Sequence, residues 1–321
     1  MINMKRNILL TSAGKRVALT KYFKDTLNRF YLDAKVFITD MNPEMAPVSY
    51  VCDGSFKVSR VTDPEYPVEL LKICEENDIG MIIPTIDTEL LVLAELKTEF
   101  DKLGVKILVS DKQFISLCRD KRNTGDFFIQ NGIRIPKEID KYNPSFPLFA
   151  KPYDGSLSTN IHYIKCQEEL TQEILNDPKL LFMEYIDKSE YKEYTVDMYY
   201  GTDNKVKCII PRERIEIRSG EINKGRTKKN EILCFLKDRL DYIEGCVGCI
   251  CVQLFFHPLS KDVVGIEINP RFGGGYPLSY NAGGNFPELL IREYFLNEAI
   301  EYFDNWKDDM LMLRYDDAVY I

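Results

Sequence analysis

The segment GIEINPRFGGGYP, residues 265–277, sets a carboxylate, an amide and a guanidinium at alternate positions: Glu267, Asn269 and Arg271. In an extended strand, side chains two apart share a face. The three therefore point together, and Ile266 and Ile268 are expected to point the other way, into a core. Gln253 lies upstream on the apolar stretch 249–256, before the turn HPLSKD. A hairpin there brings Gln253 beside Glu267 and Asn269. Such an oxygen-rich cluster suits hard cations such as Mg2+ or Mn2+, which keep waters and take phosphate oxygens as further ligands. Arg271 can hold an anion at the rim, and the three glycines let a backbone approach a ligand closely. The plain alternative is the polar outer face of an antiparallel strand. The scarcity of other polar side chains on this strand argues against it.

Three further stretches carry chemistry. AKPYDGSLSTN places Lys151 at the end of an apolar strand, before a small polar loop containing Ser156 and Ser158. Backbone N–H groups of such a loop can fold over phosphates while the lysine supplies a fixed charge, although Gly/Ser hairpin loops are common. FMEYI ends a buried strand at Glu184, where the backbone through Tyr185 and Ile186 can pair with an adenine edge; Glu193 opens EYTVD and can accept ribose hydroxyls. Lys121 stands at a helix start in CRDKRNTGDFF. Taken singly, each lysine reads as a solvated side chain.

The elements that must position these residues fall into two styles. Over 1–110 short apolar strands (8–11, 35–39, 81–84, 105–109) alternate with helices (17–30, 67–76, 87–100), which predicts a doubly wound parallel sheet. Its loops 12–16, 40–43 and 85–89 then share one edge. LLTSAGKRV resembles a phosphate-binding loop, but it lacks the leading glycine, and Arg16 stands where a magnesium-binding Ser/Thr belongs. A tight turn is the favoured reading. Beyond a helix at 111–130, sequential strands with short turns predict antiparallel sheets over 111–321, with a small part at 111–185 and a larger one at 186–321. The expected fold is α/β followed by α+β.

Composition narrows the class. With 321 residues, 45% hydrophobic and 29% charged, the chain can build two or three real cores. A net charge of -8 without a basic block makes nucleic acid and anionic membrane poor partners. No apolar run approaches a membrane span, and residues 1–12 lack a signal-peptide core. Nine scattered cysteines predict reduced thiols and a cytoplasmic setting. CVGCIC clusters Cys246, Cys249 and Cys251 but has no second ligand pair for zinc. The two histidines, His162 and His257, are isolated, which argues against a histidine-based triad.

In order and spacing, the two lysines, the Gly/Ser loop, the Glu184 and Glu193 stretches, and Gln253 with EINPR resemble the ATP-grasp superfamily. Within it the chain is most similar to a single half of the carbamoyl-phosphate synthetase large chain, amino-terminal α/β domain included. The resemblance implies ATP and Mg2+ (or Mn2+) as cofactors. Lys121 and Lys151 would contact ATP phosphates, Glu184, Tyr185 and Ile186 adenine, and Glu193 the ribose. Gln253, Glu267 and Asn269 would hold the metals, and Arg271 would face the transferring phosphoryl group. An extra polar stretch, DKSEYK, makes Glu190 a competitor of Glu193.

The expected activity is an ADP-forming ligase that joins a small, amino-acid-like carboxylate to an amine through an acyl phosphate. The alternatives are carboxyphosphate or carbamate phosphorylation, as in the synthetase, and an ATP-binding module without turnover. Ser12, Lys15, Arg16, Asp87, Glu89, Arg212, Arg214 and the loop GGGYPLSYNAGG are candidate contributors to the substrate pocket, with Arg212 and Arg214 as carboxylate clamps. The sequence leaves room for a homodimer.

Overall fold

The computed structural model describes residues 5–155, 159–218 and 220–321. Ser156 and Ser158 therefore lie outside the described residues. Among the described residues the strands form three sheets.

The first sheet is parallel and five-stranded, built from β1 (Asn7–Thr11), β2 (Val36–Asp40), β3 (Gly54–Lys57), β4 (Ile79–Pro84) and β5 (Lys106–Ile107) in the order β3-β2-β1-β4-β5. Helices α1 (Val17–Phe30), α2 (Glu65–Glu76) and α3 (Leu90–Lys102) make the crossovers. The strand order reverses between β1 and β4, so the loops following these two strands meet at the edge where such sheets present ligands. Hydrogen bonds lock them: Thr85 Oγ1 donates to the carbonyls of Thr11 (3.0 Å) and Ser12 (2.8 Å).

The expected single helix over 111–130 is instead two, α4 (Lys112–Arg119) and α5 (Lys121–Gln130). The break is at Asp120, whose extended backbone and carboxylate cap the second helix, accepting from the N–H of Arg122 at 2.9 Å. A three-stranded antiparallel sheet follows, β7-β6-β8, from β6 (Leu148–Pro152), β7 (His162–Ile164) and β8 (Leu180–Glu184), with α6 (Gln172–Asn176) between the last two.

The third sheet is antiparallel and six-stranded: β9 (Lys192–Tyr200), β10 (Val206–Arg218), β11 (Glu221–Thr227), β12 (Gly248–Phe256), β13 (Val263–Asn269) and β14 (Leu311–Leu313), ordered β13-β12-β9-β10-β11-β14. Helices α7 (Glu231–Leu240), α8 (Tyr276–Asn281) and α9 (Phe286–Phe295) accompany it. The stretch after the glycines, read from sequence as a loop, thus contains α8.

One hydrophobic cluster ties the first sheet to the third. Phe23 of α1 meets Phe272 edge-on, with ring centroids 5.8 Å apart, and Tyr22 stacks on Tyr280 of α8 at 3.7 Å. This packing sets the start of α1, and the loop before it, over the glycine loop.

Candidate active site

The hairpin register is Gln253 opposite Glu267 and Cys251 opposite Asn269. The Gln253 amide donates to Glu267 Oε1 at 2.8 Å and Asn269 Nδ2 donates to the same oxygen at 3.0 Å. A bulge skips Ile266 between these pairs and Leu254–Gly265, so Ile266 is half-buried and lines the cleft rather than entering the core. Ile268 is buried as expected.

Across from this strand stand both lysines. Lys121, the first residue of α5, places its Nζ 3.6 Å from Glu267 Oε2 and donates to the carbonyl of Gly155 at 2.5 Å. Lys151 shares the cleft face of β6 with Phe149 and has no hydrogen-bond or ion-pair partner among the described residues. Burial pushes its amine down to about 8; Glu267 works against that, and Lys121 reinforces it. Burial alone would raise the Glu267 carboxyl, but Lys121, Lys151, the Asn269 hydrogen bond and Arg271 hold it below the ordinary glutamate range.

The cleft between the sheets has a volume of about 890 Å³. At one end, the backbones of Tyr185 and Ile186 make no hydrogen bond among the described residues, leaving an edge free for a planar base. The Glu184 carboxylate is turned to structural use, accepting from Arg134 Nη1 (2.7 Å) and the N–H of Lys137 (2.9 Å). Glu193 lines the cleft, held by Arg214 at 2.8 Å and Lys188 at 3.2 Å, whereas Glu190 is not among the lining residues. At the other end, Arg271 reaches Asp87 (Nη2–Oδ2 2.8 Å) and the Arg16 guanidinium donates to the carbonyl of Thr85 at 3.2 Å.

Several expectations change here. Arg212 is 1% exposed and cannot clamp a substrate through its fork. Its Nε and Nη2 are committed to Asp197 at 2.7 and 2.9 Å, and Asp197 also accepts from Ser279 Oγ at 2.5 Å. Burial disfavours the Arg212 charge, but Asp197 outweighs it and raises the pKa. Arg214 is likewise engaged, with Gln253 Oε1 at 3.0 Å and Glu193. Ser12, Lys15 and Glu89 do not line the cleft. Glu89 is a buried clasp beneath it, accepting from Ser12 Oγ (2.8 Å), Tyr66 (3.1 Å) and the N–H of Thr85 (2.9 Å).

The glycines have a local cause. A Cβ on Gly274 would lie 2.6 Å from Glu221 Oε1, and one on Gly275 only 2.1 Å from Arg212 Nη1. The loop can lie against these charged groups only without side chains. Glu221 and its partner Arg314, at 2.8 Å, went unread in the sequence because they come from β11 and the carboxy-terminal tail.

The donor set fits a hard divalent cation. Glu267, Gln253 and Asn269 together offer one carboxylate and two amides without imidazole; the thiol of Cys251, which also lines the cleft, is committed to Asp197 at 3.1 Å, and no group of three His, Cys, Asp or Glu suitable for a metal exists among the described residues. Such a set leaves coordination positions for phosphate oxygens. The nine cysteines are all free thiols, with Cys246, Cys249 and Cys251 buried in the core.

Residues 8–108 match the family model of a PylC-like N-terminal domain, and residues 176–317 match that of an ATP-grasp in the biosynthetic pathway with Ter operon. No curated protein matches the sequence. Among solved structures, the biotin carboxylase domain of Hydrogenobacter thermophilus 2-oxoglutarate carboxylase, a dimer with MgADP, ADP and bicarbonate, superposes with a TM-score of 0.72 at 13% identity, covering 96% of this chain and 74% of that one. Staphylococcus aureus N5-carboxyaminoimidazole synthetase with ADP gives 0.70 at 15% identity, over 93% and 78%. The L-amino acid ligase of Bacillus licheniformis gives 0.67 at 16% identity, over 90% and 73%. The two sheets closing on one cleft give the chain the fold of these structures, and residues 176–317 are an ATP-grasp domain by their family match. The first sheet falls within the stretch that matches the PylC-like N-terminal domain.

Proposed function

We propose that this protein is an ATP-dependent, ADP-forming ligase that activates a small carboxylate as an acyl phosphate and joins it to an amine. The observation that carries this reading is the convergence of Lys121 and Lys151 on Glu267 in one cleft, with Arg271 at its far side. A carboxylate is a poor electrophile, and phosphorylation turns one of its oxygens into a leaving group. That chemistry needs positioning and charge stabilisation rather than a protein nucleophile.

In this reading the part spanning 111–185 covers the nucleotide and 186–321 carries the metal site, behind the domain at 1–110. Lys121 and Lys151 bind the ATP phosphates, helped by Ser156 and Ser158. The backbone of Glu184, Tyr185 and Ile186 receives adenine, and Glu193 the ribose. Gln253, Glu267 and Asn269 would hold Mg2+ or Mn2+, which would supply positive charge to neutralise the ATP phosphates. Arg271, fixed by Asp87, steadies the transferring phosphoryl group and the attacking carboxylate. The amine then displaces phosphate, and the amide product leaves with ADP. The test is a screen of carboxylate and amine pools read by ADP release. A stimulation that Glu267→Gln abolishes supports the ligase, and ATP binding without stimulation by any pool points to a non-catalytic module.

A further inference from the structure

The end of the cleft away from the lysines holds a cation that nothing in the proposed chemistry uses. Arg16 lines the cleft, yet among the described residues its guanidinium has no ion pair and only the one hydrogen bond to Thr85. Its neighbours are each answered: Arg271 by Asp87, Arg212 by Asp197, and Glu221 by Arg314. Burial and the like charge of Arg271 both work against the Arg16 guanidinium, more than Glu221 and Asp87 relieve it. The helix it precedes adds no relief, since α1 has no acid in its first turn and no side-chain cap.

The order along the cleft separates this cation from the phosphoryl-transfer point. Arg271 Nη2 reaches back to Asn269 Oδ1 at 3.5 Å and across to Asp87 at 2.8 Å, whereas the Arg16 guanidinium is held at the carbonyl of Thr85, two residues before Asp87 on the first domain's loop edge. Arg271 thus lies between the metal strand and Arg16. A carboxylate poised for phosphorylation sits on the Arg271 side, and a group reaching Arg16 belongs to the opposite end of the same molecule.

We propose that Arg16 receives a second, unreacting carboxylate of the acid substrate, so that the enzyme acts on dicarboxylic acids. This rests on the ligase reading above. A planar guanidinium matches a carboxylate bidentately, and a substrate anion there relieves an otherwise uncompensated charge.

The experiment compares dicarboxylates of increasing chain length, with and without an α-amino group, against monocarboxylates of matched length. ADP formation is followed with hydroxylamine as acceptor, and binding by calorimetry with Mg-ADP present. The acids that turn over are expected to be dicarboxylates. Arg16→Gln should raise their KM about ten- to hundredfold, with kcat and the KM for ATP within about threefold. Arg16→Lys, which keeps the charge, should recover part of the loss and shows that the fold tolerates change there. Equal turnover of the matched monocarboxylates, or an unchanged KM in Arg16→Gln, overturns the inference and leaves the ligase intact. If no acid yields ADP, the ligase reading fails; Arg16-dependent binding of a dicarboxylate would still sustain the anion site, and its absence would overturn that too.

Discussion

Arg271, two positions beyond Asn269 at the end of β13, grips Asp87 of the first domain's loop edge, with Nη2 and Nε 2.8 and 3.2 Å from one carboxylate oxygen. The pair spans the cleft wall, so the arginine proposed to face the phosphoryl group takes its orientation from the first domain's loop edge. Asp87→Asn should therefore lower kcat/KM about ten- to hundredfold while sparing ATP affinity. A double-mutant cycle with Arg271→Lys should give a coupling of about 0.5–3 kcal/mol. Additive losses in that cycle would mean that Asp87 does not position Arg271.

Glu267→Gln removes the one carboxylate of the donor set at constant volume. Turnover is expected to fall by more than about 2–3 kcal/mol of transition-state stabilisation, with an unchanged circular dichroism spectrum. Activity within a few-fold of the parent would take Glu267 out of the metal site.

Lys151 carries the pH dependence. Its amine is pushed down to about 8 by burial, so the free protein loses this charge as pH rises through that value. Bound phosphate oxygens favour the charged form and raise the pKa, so nucleotide binding near that pH should take up a proton. Calorimetry in buffers of different ionisation enthalpy reads this directly. Lys151→Met should abolish the uptake and weaken binding, whereas Lys165→Met, beyond the loop, should do neither.

The buried Asp197–Arg212 pair makes a stability prediction. Asp197→Ala strands a guanidinium that is 1% exposed, and should cost about 3–5 kcal/mol in denaturant unfolding. Replacing both residues by apolar ones of similar size should cost much less. A small loss in Asp197→Ala would show that Arg212 finds another partner.

Local signals made much of this architecture readable. The 3.6-residue stripe of Val17–Phe30 marks α1 to the residue, and the turn HPLSKD folds the strand of Gln253 back along that of Glu267, although only the bulge at Ile266 brings the two residues opposite. The helix break at Asp120 was hidden by apolar periodicity on both sides. The bulge at Ile266 arises from pairing with β12, and periodicity along one strand carries no sign of it. Arg212 read as a carboxylate clamp because its true partner, Asp197, lies on the neighbouring strand and leaves no mark in the local sequence. Glu221 joins the cleft through β11 and is held by Arg314 of the tail, segments whose mixed charges give no alternation to follow.

The central claim is the acyl-phosphate route, and the nucleotide product tests it most directly. With the acid substrate and hydroxylamine, turnover should yield ADP, phosphate and a hydroxamate, and ADP release should require the acid even when the natural amine is omitted. Charge in this cleft is neutralised where Lys121, Lys151 and Glu267 meet, at the position proposed for the β- and γ-phosphates. Appearance of AMP and pyrophosphate as the main products would contradict the account, because the α-phosphate would then be the centre under attack.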